Sequence, residues 1–216
     1  MPTIPLALKL RRSVHRKIAE AQDLMVLGTF EVLPAAVIHG GTAIWRCYGG
    51  NRFSEDVDFY LPPSARGKAA ALSTGFRRRG LPEQELKETS GSVFAKFGPG
   101  ALAVRFEATF RKPEGVVVRR YEMVDGSFAA VRTLTAESLL QEKALAYLGR
   151  KKARDLYDVF FLVHIAHGGA PAREAVLRLL TDFKPPPDEA ALRSTIITAS
   201  VPTAADMKEA IARWAK

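Results

Sequence analysis

Two aspartates, Asp56 and Asp58, are separated by a single residue in the segment 56–61, where polar and apolar residues alternate. This alternation predicts a half-buried strand. Residues i and i+2 of a strand project from the same face about 6.5–7 Å apart, so both carboxylates could bind the same divalent cations. Nucleotidyl transfer commonly uses two Mg²⁺ ions about 3.5–4 Å apart. An isolated Asp-x-Asp pair is more often a solvated polar face, so its neighbours must decide between the two interpretations.

A glycine turn precedes the aspartate pair. The apolar run 35–38 predicts a buried strand that ends at Gly40 and Gly41, and Thr42 is placed to cap a helix that continues to Tyr48. The backbone N–H groups at the start of such a helix, together with the threonine hydroxyl, can bind phosphate oxygens. The turn and the aspartate pair therefore supply the two halves of a nucleoside-triphosphate site, with amides for the phosphates and carboxylates for the metals.

Glu107 is a candidate third carboxylate. It lies on the polar side of the alternating segment 101–111, which predicts a strand. If that strand neighbours the one that carries Asp56 and Asp58, Glu107 could complete the metal coordination or act as the base on an incoming hydroxyl. Otherwise it is an exposed glutamate paired with Arg105 or Arg111, and the sequence leaves both interpretations open.

A second charged cluster lies on predicted helices in the last third of the chain. Asp155 and Asp158 are i, i+3 neighbours there, and Arg154 is i, i+4 to Asp158. The simplest interpretation is helix capping and surface ion pairing worth under about 1 kcal/mol. With a nucleotide site in the same chain, Lys143 becomes a candidate phosphate ligand, and either aspartate could orient that lysine or the acceptor.

These residues must be positioned by helices and strands whose signals change along the chain. Helices are predicted over 13–27 and 64–79, and strands over 92–97, 101–111 and 115–121 as a meander. From Thr135 the pattern is helical, with an N-cap at Thr135 or Ser138, a helix over 153–167 and a last amphipathic helix that ends at Trp214. The chain is therefore expected to have an α+β fold.

Four motifs in this order and spacing resemble the AbiEii family of nucleotidyltransferases, which are toxins of type IV toxin–antitoxin systems. The motifs are Gly40-Gly41-Thr42-Ala43-Ile44, the run 52–59 around the aspartate pair, Glu142-Lys143-Ala144, and Arg154-Asp155-Leu156-Tyr157-Asp158. The resemblance implies a DNA polymerase β-like mixed-sheet core, expected over residues 1–134, and a helical C-terminal domain over 135–216 that completes the active site. It also implies transfer of a nucleotide from an NTP to RNA, in some relatives to the tRNA 3′ end.

The resemblance also assigns roles to particular residues. The residues expected to bind the nucleotide are Gly40, Gly41, Thr42, Arg52, Ser54, Lys143 and Arg154. The expected metal ligands are Asp56 and Asp58, with Glu107 in the uncertain third position, and the catalytic set is Asp56, Asp58, Lys143, Asp155 and Asp158. His39, next to Gly40, is predicted to be a packing residue at the strand end rather than a catalytic base.

The composition adds a partner class. Lys and Arg outnumber Asp and Glu by 32 to 23, and the formal charge of +9 favours a polyanionic partner such as RNA. The basic runs 77–79, 119–120 and 150–152 would bind an RNA backbone if they converge on one cleft. The single cysteine and the lack of an apolar run of about 18 residues predict a cytoplasmic protein with no membrane segment.

The expected function is Mg²⁺-dependent transfer of an NMP to a hydroxyl of RNA, as the toxin of a pair with an antitoxin protein. Two alternatives remain open at this point. The same core could modify a protein or a small hydroxylated molecule, for which a +9 surface is unnecessary, or it could be a non-catalytic nucleic-acid-binding module. The intact Asp56 and Asp58 argue against the second alternative.

Overall fold

A mixed β-sheet forms the centre of the structure, a computed structural model that describes residues 5–198 and 200–216. Its strands are β1 (Val37–His39), β2 (Val57–Leu61), β3 (Glu83–Glu88), β4 (Ser92–Phe97), β5 (Val104–Phe110), β6 (Val116–Glu122) and β7 (Phe128–Leu134). The helices are α1 (Leu6–Lys9), α2 (Ser13–Val32), α3 (Gly40–Tyr48), α4 (Ala69–Arg78), α5 (Ala136–Arg150), α6 (Ala153–Leu162), α7 (Ala170–Thr181), α8 (Leu192–Thr195) and α9 (Ala204–Ala215). The predicted α+β fold with a mixed sheet is confirmed.

The strand order across the sheet is β3-β4-β5-β2-β1-β7-β6. Strands β2 and β5 are parallel, as are β1 and β7, and the other neighbours are antiparallel. The predicted meander is therefore wrong after β5, because the chain crosses to the opposite edge of the sheet and β6 pairs with β7. Strand β3 was not predicted because it is an edge strand in which only Leu86 is apolar.

Several helix boundaries also differ from the predictions. Helix α2 continues five residues beyond Leu27 because its buried face extends to Gly28 and Thr29. A 3₁₀ turn at Pro63–Ala65 precedes α4, and α6 ends at Leu162. The predicted cap at the start of α5 is confirmed, since the Thr135 hydroxyl accepts a hydrogen bond from the Ser138 N–H at 3.2 Å.

Two apolar cores flank the sheet. One contains α2, α4 with Phe76, and the side chains of one sheet face, among them Phe59 and Phe106. The other is formed by α5, α6, α7 and α9 and includes Val37 and Tyr60 from the opposite sheet face. The helices after residue 135 thus pack directly on the sheet beside its polar residues. Their separation as a domain of residues 135–216 stays a prediction. Within the described ranges, no helix combines the length and apolar character needed to cross a membrane.

Candidate active site

The predicted carboxylates meet in a cleft of about 440 Å³ between the sheet and α5. Asp58 on β2 lies opposite Glu107 on the parallel neighbour β5, and on its other side opposite His39 on β1. Directly opposed residues of neighbouring strands share a face of the sheet. The strand of Glu107 therefore neighbours the strand of the aspartate pair, as a role of Glu107 in metal coordination or as a base requires.

Arg105 links two of the carboxylates. Its Nε lies 3.0 Å from Asp56 Oδ1 and its Nη1 lies 3.3 Å from Glu107 Oε1. Glu107 also has the properties of an exposed glutamate paired with a neighbouring arginine. It is about half exposed, and its carboxylate contacts Arg105. The pKa of Asp58 is raised by burial at the floor of the cleft, against the opposing influence of His39 and Lys143.

The expected three-carboxylate metal site is not assembled. Within residues 5–198 and 200–216, no three His, Cys, Asp or Glu side chains are grouped closely enough to hold a metal ion. The guanidinium of Arg105 instead contacts both carboxylates, Asp56 at 3.0 Å and Glu107 at 3.3 Å. The chemistry of the donor set still fits Mg²⁺, because Asp56 and Asp58 offer carboxylate oxygens that line the cleft.

The glycine turn forms the wall of the cleft beside Asp58. Gly40 has a φ of +71°, and a Cβ on it would collide with the Asp58 carboxylate. A Cβ on Gly41 would lie 2.5 Å from Arg52 Nη2 and 2.6 Å from Ser54 Oγ. Helix α3 begins at this turn, so its unpaired N–H groups are at the cleft. Both glycines are therefore required by close packing, and the helix N-terminus favours an anion here.

Thr42 does not face the cleft, in contrast to the prediction. It neither caps α3, which starts at Gly40, nor is exposed, and its hydroxyl donates to the Asp56 carbonyl at 2.5 Å. Gln22 of α2, which sequence reasoning missed, donates from its amide to the Ser54 carbonyl at 2.8 Å. These two buried side chains fix the loop that delivers Asp56, and a polar residue on the buried face of a helix was the available signal for Gln22.

Lys143 is held by two buried aspartates of α6. Its Nζ lies 2.7 Å from Asp158 and 3.6 Å from Asp155. Arg52 donates twice to Asp158, both at 2.8 Å, and Arg150 donates twice to Asp155 at 2.6 and 2.7 Å. Burial alone would raise the pKa of Asp158, but Arg52 and Lys143 outweigh it and lower the pKa to about 2.

The two aspartates of the last motif lie beneath the cleft and do not line it. Asp155 is fully buried and Asp158 is 2 % exposed. The resemblance places them in the catalytic set, whereas the residues themselves also predict that one of them orients Lys143. Their geometry agrees with the orienting role, because both contact Lys143 and each also holds an arginine. Lys143, Ser54, Arg52 and Arg154 do line the cleft, as predicted. Arg52 is nevertheless largely committed to Asp158.

His39 is a cleft residue rather than only a packing residue. Its ring stacks on Tyr60 at a centroid distance of 3.7 Å, and its Nδ1 lies 3.3 Å from Glu142 Oε2. The Tyr60 hydroxyl donates to the other Glu142 oxygen at 2.7 Å. Burial would raise the pKa of Glu142, but the contacts with His39 and Tyr60 lower it. Sequence reasoning missed this group because its members come from β1, β2 and α5.

The basic runs do not converge on the cleft. Arg150 lines it, together with Arg105 and Arg154, which belong to none of these runs. The run 119–120 lies in the edge strand β6, and the run 77–79 lies at the end of α4, which packs on the opposite face of the sheet. The cations beside the carboxylates thus come from separate elements.

The whole fold is similar to that of a solved toxin. MenT4, a nucleotidyltransferase toxin from Mycobacterium tuberculosis H37Rv, shares 18% sequence identity and a TM-score of 0.63, over 99% of this chain and 94% of that one. The Bradyrhizobium diazoefficiens CD-NTase CdnG in complex with GTP aligns over 94% of this chain and 91% of that chain, with 10% identity and a TM-score of 0.30. No curated protein matches the chain in sequence.

The match of most of the chain to a family model identifies a nucleotidyltransferase, and the fold is consistent with that class. The sequence identifies the family more narrowly: residues 27–215 match the family described as nucleotidyl transferase AbiEii toxin, type IV TA system. The chain belongs to this family of nucleotidyltransferase toxins, which confirms the resemblance of its four motifs.

Proposed function

We propose that this chain transfers an NMP from an NTP to a hydroxyl of RNA, with Mg²⁺ as cofactor and the 3′ end of tRNA as acceptor. Pyrophosphate is the leaving group. The observation that carries the proposal is one cleft in which a helix N-terminus and several cations lie beside the carboxylates of two paired strands. In this proposal the chain acts in the cytoplasm as a toxin, and an antitoxin protein is its partner.

The triphosphate binds at the β1 side of the cleft. The N–H groups at Gly40 and Gly41 donate hydrogen bonds to phosphate oxygens, and the dipole of α3 favours their negative charge. Lys143, held by Asp158, and the exposed Arg154 add positive charge. Because Asp158 holds Lys143 at 2.7 Å and Asp155 holds Arg150 with bonds of 2.6 and 2.7 Å, Lys143 and Arg150 are oriented before the nucleotide arrives. Preorganised charge is more effective than charge that must reorganise during the reaction.

Asp56 and Asp58 would hold the metal. When bound, Mg²⁺ would supply charge neutralisation for the α-phosphate and the leaving pyrophosphate and would favour ionisation of the attacking hydroxyl. The raised pKa of Asp58 makes a cationic ligand at this carboxylate favourable for the fold. Arg105 must move away from Asp56 for the metal to bind, because its Nε donates a hydrogen bond of 3.0 Å to Asp56 Oδ1.

The acceptor hydroxyl approaches from the β5 side. Attacking and leaving oxygens lie on opposite sides of the reacting phosphorus in an in-line displacement. The pyrophosphate lies over the glycine turn at the end of β1, so the hydroxyl must lie over β5, where Glu107 is exposed. Glu107 is placed there to accept the hydroxyl proton or to orient the hydroxyl.

The test uses NTPs labelled at the α-phosphate, each incubated with the purified chain, Mg²⁺ and total tRNA. We expect label on RNA with one or more nucleotides, and its loss in Asp58→Asn and in the double variant Asp56→Ala, Asp58→Ala. Asp182→Asn, an exposed aspartate at the end of α7, is the matched control and should label normally. Label on a protein or on a small hydroxylated compound, with RNA unlabelled, would contradict the proposed acceptor. Label that survives the loss of both carboxylates would contradict the proposed chemistry.

A further inference from the structure

Five side chains form a single row across five neighbouring strands. His39 of β1 is opposite Asp58 of β2, Asp58 is opposite Glu107 of β5, Glu107 is opposite Phe94 of β4, and Phe94 is opposite Lys87 of β3. Directly opposed residues share a face, so all five project from the face that carries the cleft. The row thus continues beyond the carboxylates into an aromatic and a cationic side chain.

The outer half of this row is open to solvent. On β4 and β5 the residues of the other face are buried in the core, whereas Arg105, Glu107 and Thr109 are exposed and Phe94 is half-buried. Lys87 is exposed on the edge strand β3. An aromatic ring on the solvent side of a sheet contributes little to the core and is accessible to a ligand.

Cations lie next to the Phe94 ring. Lys96, two residues along the same strand, has its Nζ 5.4 Å from the ring centroid and also pairs with Glu85 of β3 at 3.0 Å. Lys87 lies across from the ring on β3. Arg105 is opposite Lys96 in the neighbouring strand. An aromatic side chain among cations on an exposed sheet is suited to single-stranded nucleic acid, because a base stacks on the ring while the cations contact phosphates.

This surface lies on the side of the cleft from which the acceptor hydroxyl must approach. From the glycine turn at the end of β1 to Phe94 the distance spans three strand intervals, or about 14 Å at about 4.8 Å each. Asp58 and Glu107 lie between these two ends. A nucleotide whose pyrophosphate lies over the turn is therefore attacked from the side on which Phe94 and Lys87 lie.

We propose that the exposed face of β3, β4 and β5, centred on Phe94 with Lys87, Lys96 and Arg105, binds the single-stranded 3′ end of the acceptor RNA. This inference rests on the proposed function, because it assigns a surface to the acceptor of that reaction. Phe94 stacks on a base near the 3′ terminus, and the cations contact the phosphates that follow. The terminal hydroxyl then lies over Glu107.

A binding measurement tests this surface without chemistry. The probe is a fluorescein-labelled single-stranded oligoribonucleotide, and its anisotropy is followed with the full chain and a non-hydrolysable NTP. We expect Phe94→Ala to weaken binding by about 5- to 100-fold, the range for loss of one stacked base, and Phe94→Tyr to retain it. Lys87→Glu should weaken binding and make it less sensitive to salt. Binding of the NTP analogue, measured by calorimetry, should be unchanged in all three variants.

Phe128→Ala provides a matched control. Phe128 is 42% exposed on β7, and Arg120 stacks on its ring at 3.8 Å, so it offers the same chemistry far from Glu107 in the strand order. We expect this variant to bind like the unchanged chain. Equal binding by Phe94→Ala and the unchanged chain, or equal losses in the Phe94 and Phe128 variants, would overturn the assignment. If the unchanged chain binds the oligoribonucleotide but transfers no nucleotide, the proposed function is wrong. The comparison of the Phe94 and Phe128 variants still tests whether RNA binds to this surface.

Discussion

Asp158→Asn should destabilise the fold more than any substitution of an exposed aspartate. The Asp158 carboxylate is 2 % exposed and receives two hydrogen bonds from Arg52 at 2.8 Å and one from Lys143 at 2.7 Å. Asparagine has the same shape but turns an N–H group toward these donors. It leaves the buried Arg52 without its bonded counter-charge, and Lys143 keeps only the longer contact with Asp155 at 3.6 Å. Breaking a buried ion pair by removal of one partner costs about 3–5 kcal/mol.

The expected loss is large compared with the stability of a typical domain, which is about 5–15 kcal/mol. For a chain of this size it corresponds to a fall in Tm of about 6–20 °C. Urea unfolding followed by circular dichroism measures it, and Asp182→Asn serves as the control with an expected change within about 0.5 kcal/mol. Because Arg52 and Asp158 are in contact, the double variant Arg52→Gln, Asp158→Asn should lose less than the sum of the two single losses.

The pH dependence gives an independent check on Asp158. Its pKa is lowered to about 2 in the folded chain, against about 3.9 in unfolded chains. The ionised carboxylate therefore stabilises the fold above about pH 4, and this contribution is lost as the pH falls through about 2. The unchanged chain should lose stability in this window more steeply than Asp158→Asn. Equal slopes, or a loss below about 1 kcal/mol at pH 7, would refute the ion-pair argument.

Three further substitutions test the cleft. The pKa of Asp58 is raised in the folded chain by burial, so its ionised form opposes folding as the pH rises. Asp58→Asn should therefore raise the metal-free Tm at pH 7 while activity is lost, and an unchanged or lower Tm would contradict this. Arg105→Gln removes the cation beside Asp56 and should tighten Mn²⁺ binding, measured by electron paramagnetic resonance, by up to about fivefold; weaker binding would contradict the competition. Gly40→Ala places a Cβ against Asp58 at a φ of +71° and should lower the free energy of unfolding in urea by about 1–3 kcal/mol. Gly49→Ala is the control, because Gly49 also has a positive φ but open space around it, so this variant tests the backbone strain alone.

The parts of the site that the sequence could predict are those set by local spacing. Asp56 and Asp58 share a face because they are two residues apart near a strand, and the glycine turn adjoins them because its strand β1 pairs with β2. Both depend on short stretches of chain with a clear period. The cap at Thr135 and the long helix after it were predictable for the same reason.

The remainder of the site depends on long-range pairing that local patterns do not encode. Glu107 joins the site because β5 pairs with β2 in a parallel register, and the unpredicted strand β3 places Lys87 at the end of the same row. Thr42 was assigned to phosphate because its position after two glycines suits a cap, but the N-cap of α3 is His39, three residues earlier, and the Thr42 hydroxyl is directed to the Asp56 carbonyl. A shift of three residues in the start of a helix thus converts a ligand-facing side chain into a buried one.

The net charge of +9 is a poor guide to the RNA surface until the cations are divided by their partners. Arg46, Arg52 and Lys143 are buried and bound to Asp23, Asp158 and Asp155, so they are part of the fold's own charge balance. The basic runs 77–79 and 119–120 lie at a helix end and in the edge strand β6, away from the cleft. Lys96 and Arg105 also have carboxylate partners, Glu85 for Lys96 and Asp56 with Glu107 for Arg105, but these pairs are solvent-accessible, and such pairs are weak. Lys87, Lys96 and Arg105 are distinguished by their register beside Phe94 and Glu107 on one exposed face, because an RNA strand must be guided to the reacting phosphorus as well as attracted. Position relative to the carboxylates, rather than the number of basic residues, is therefore the property that marks the acceptor surface.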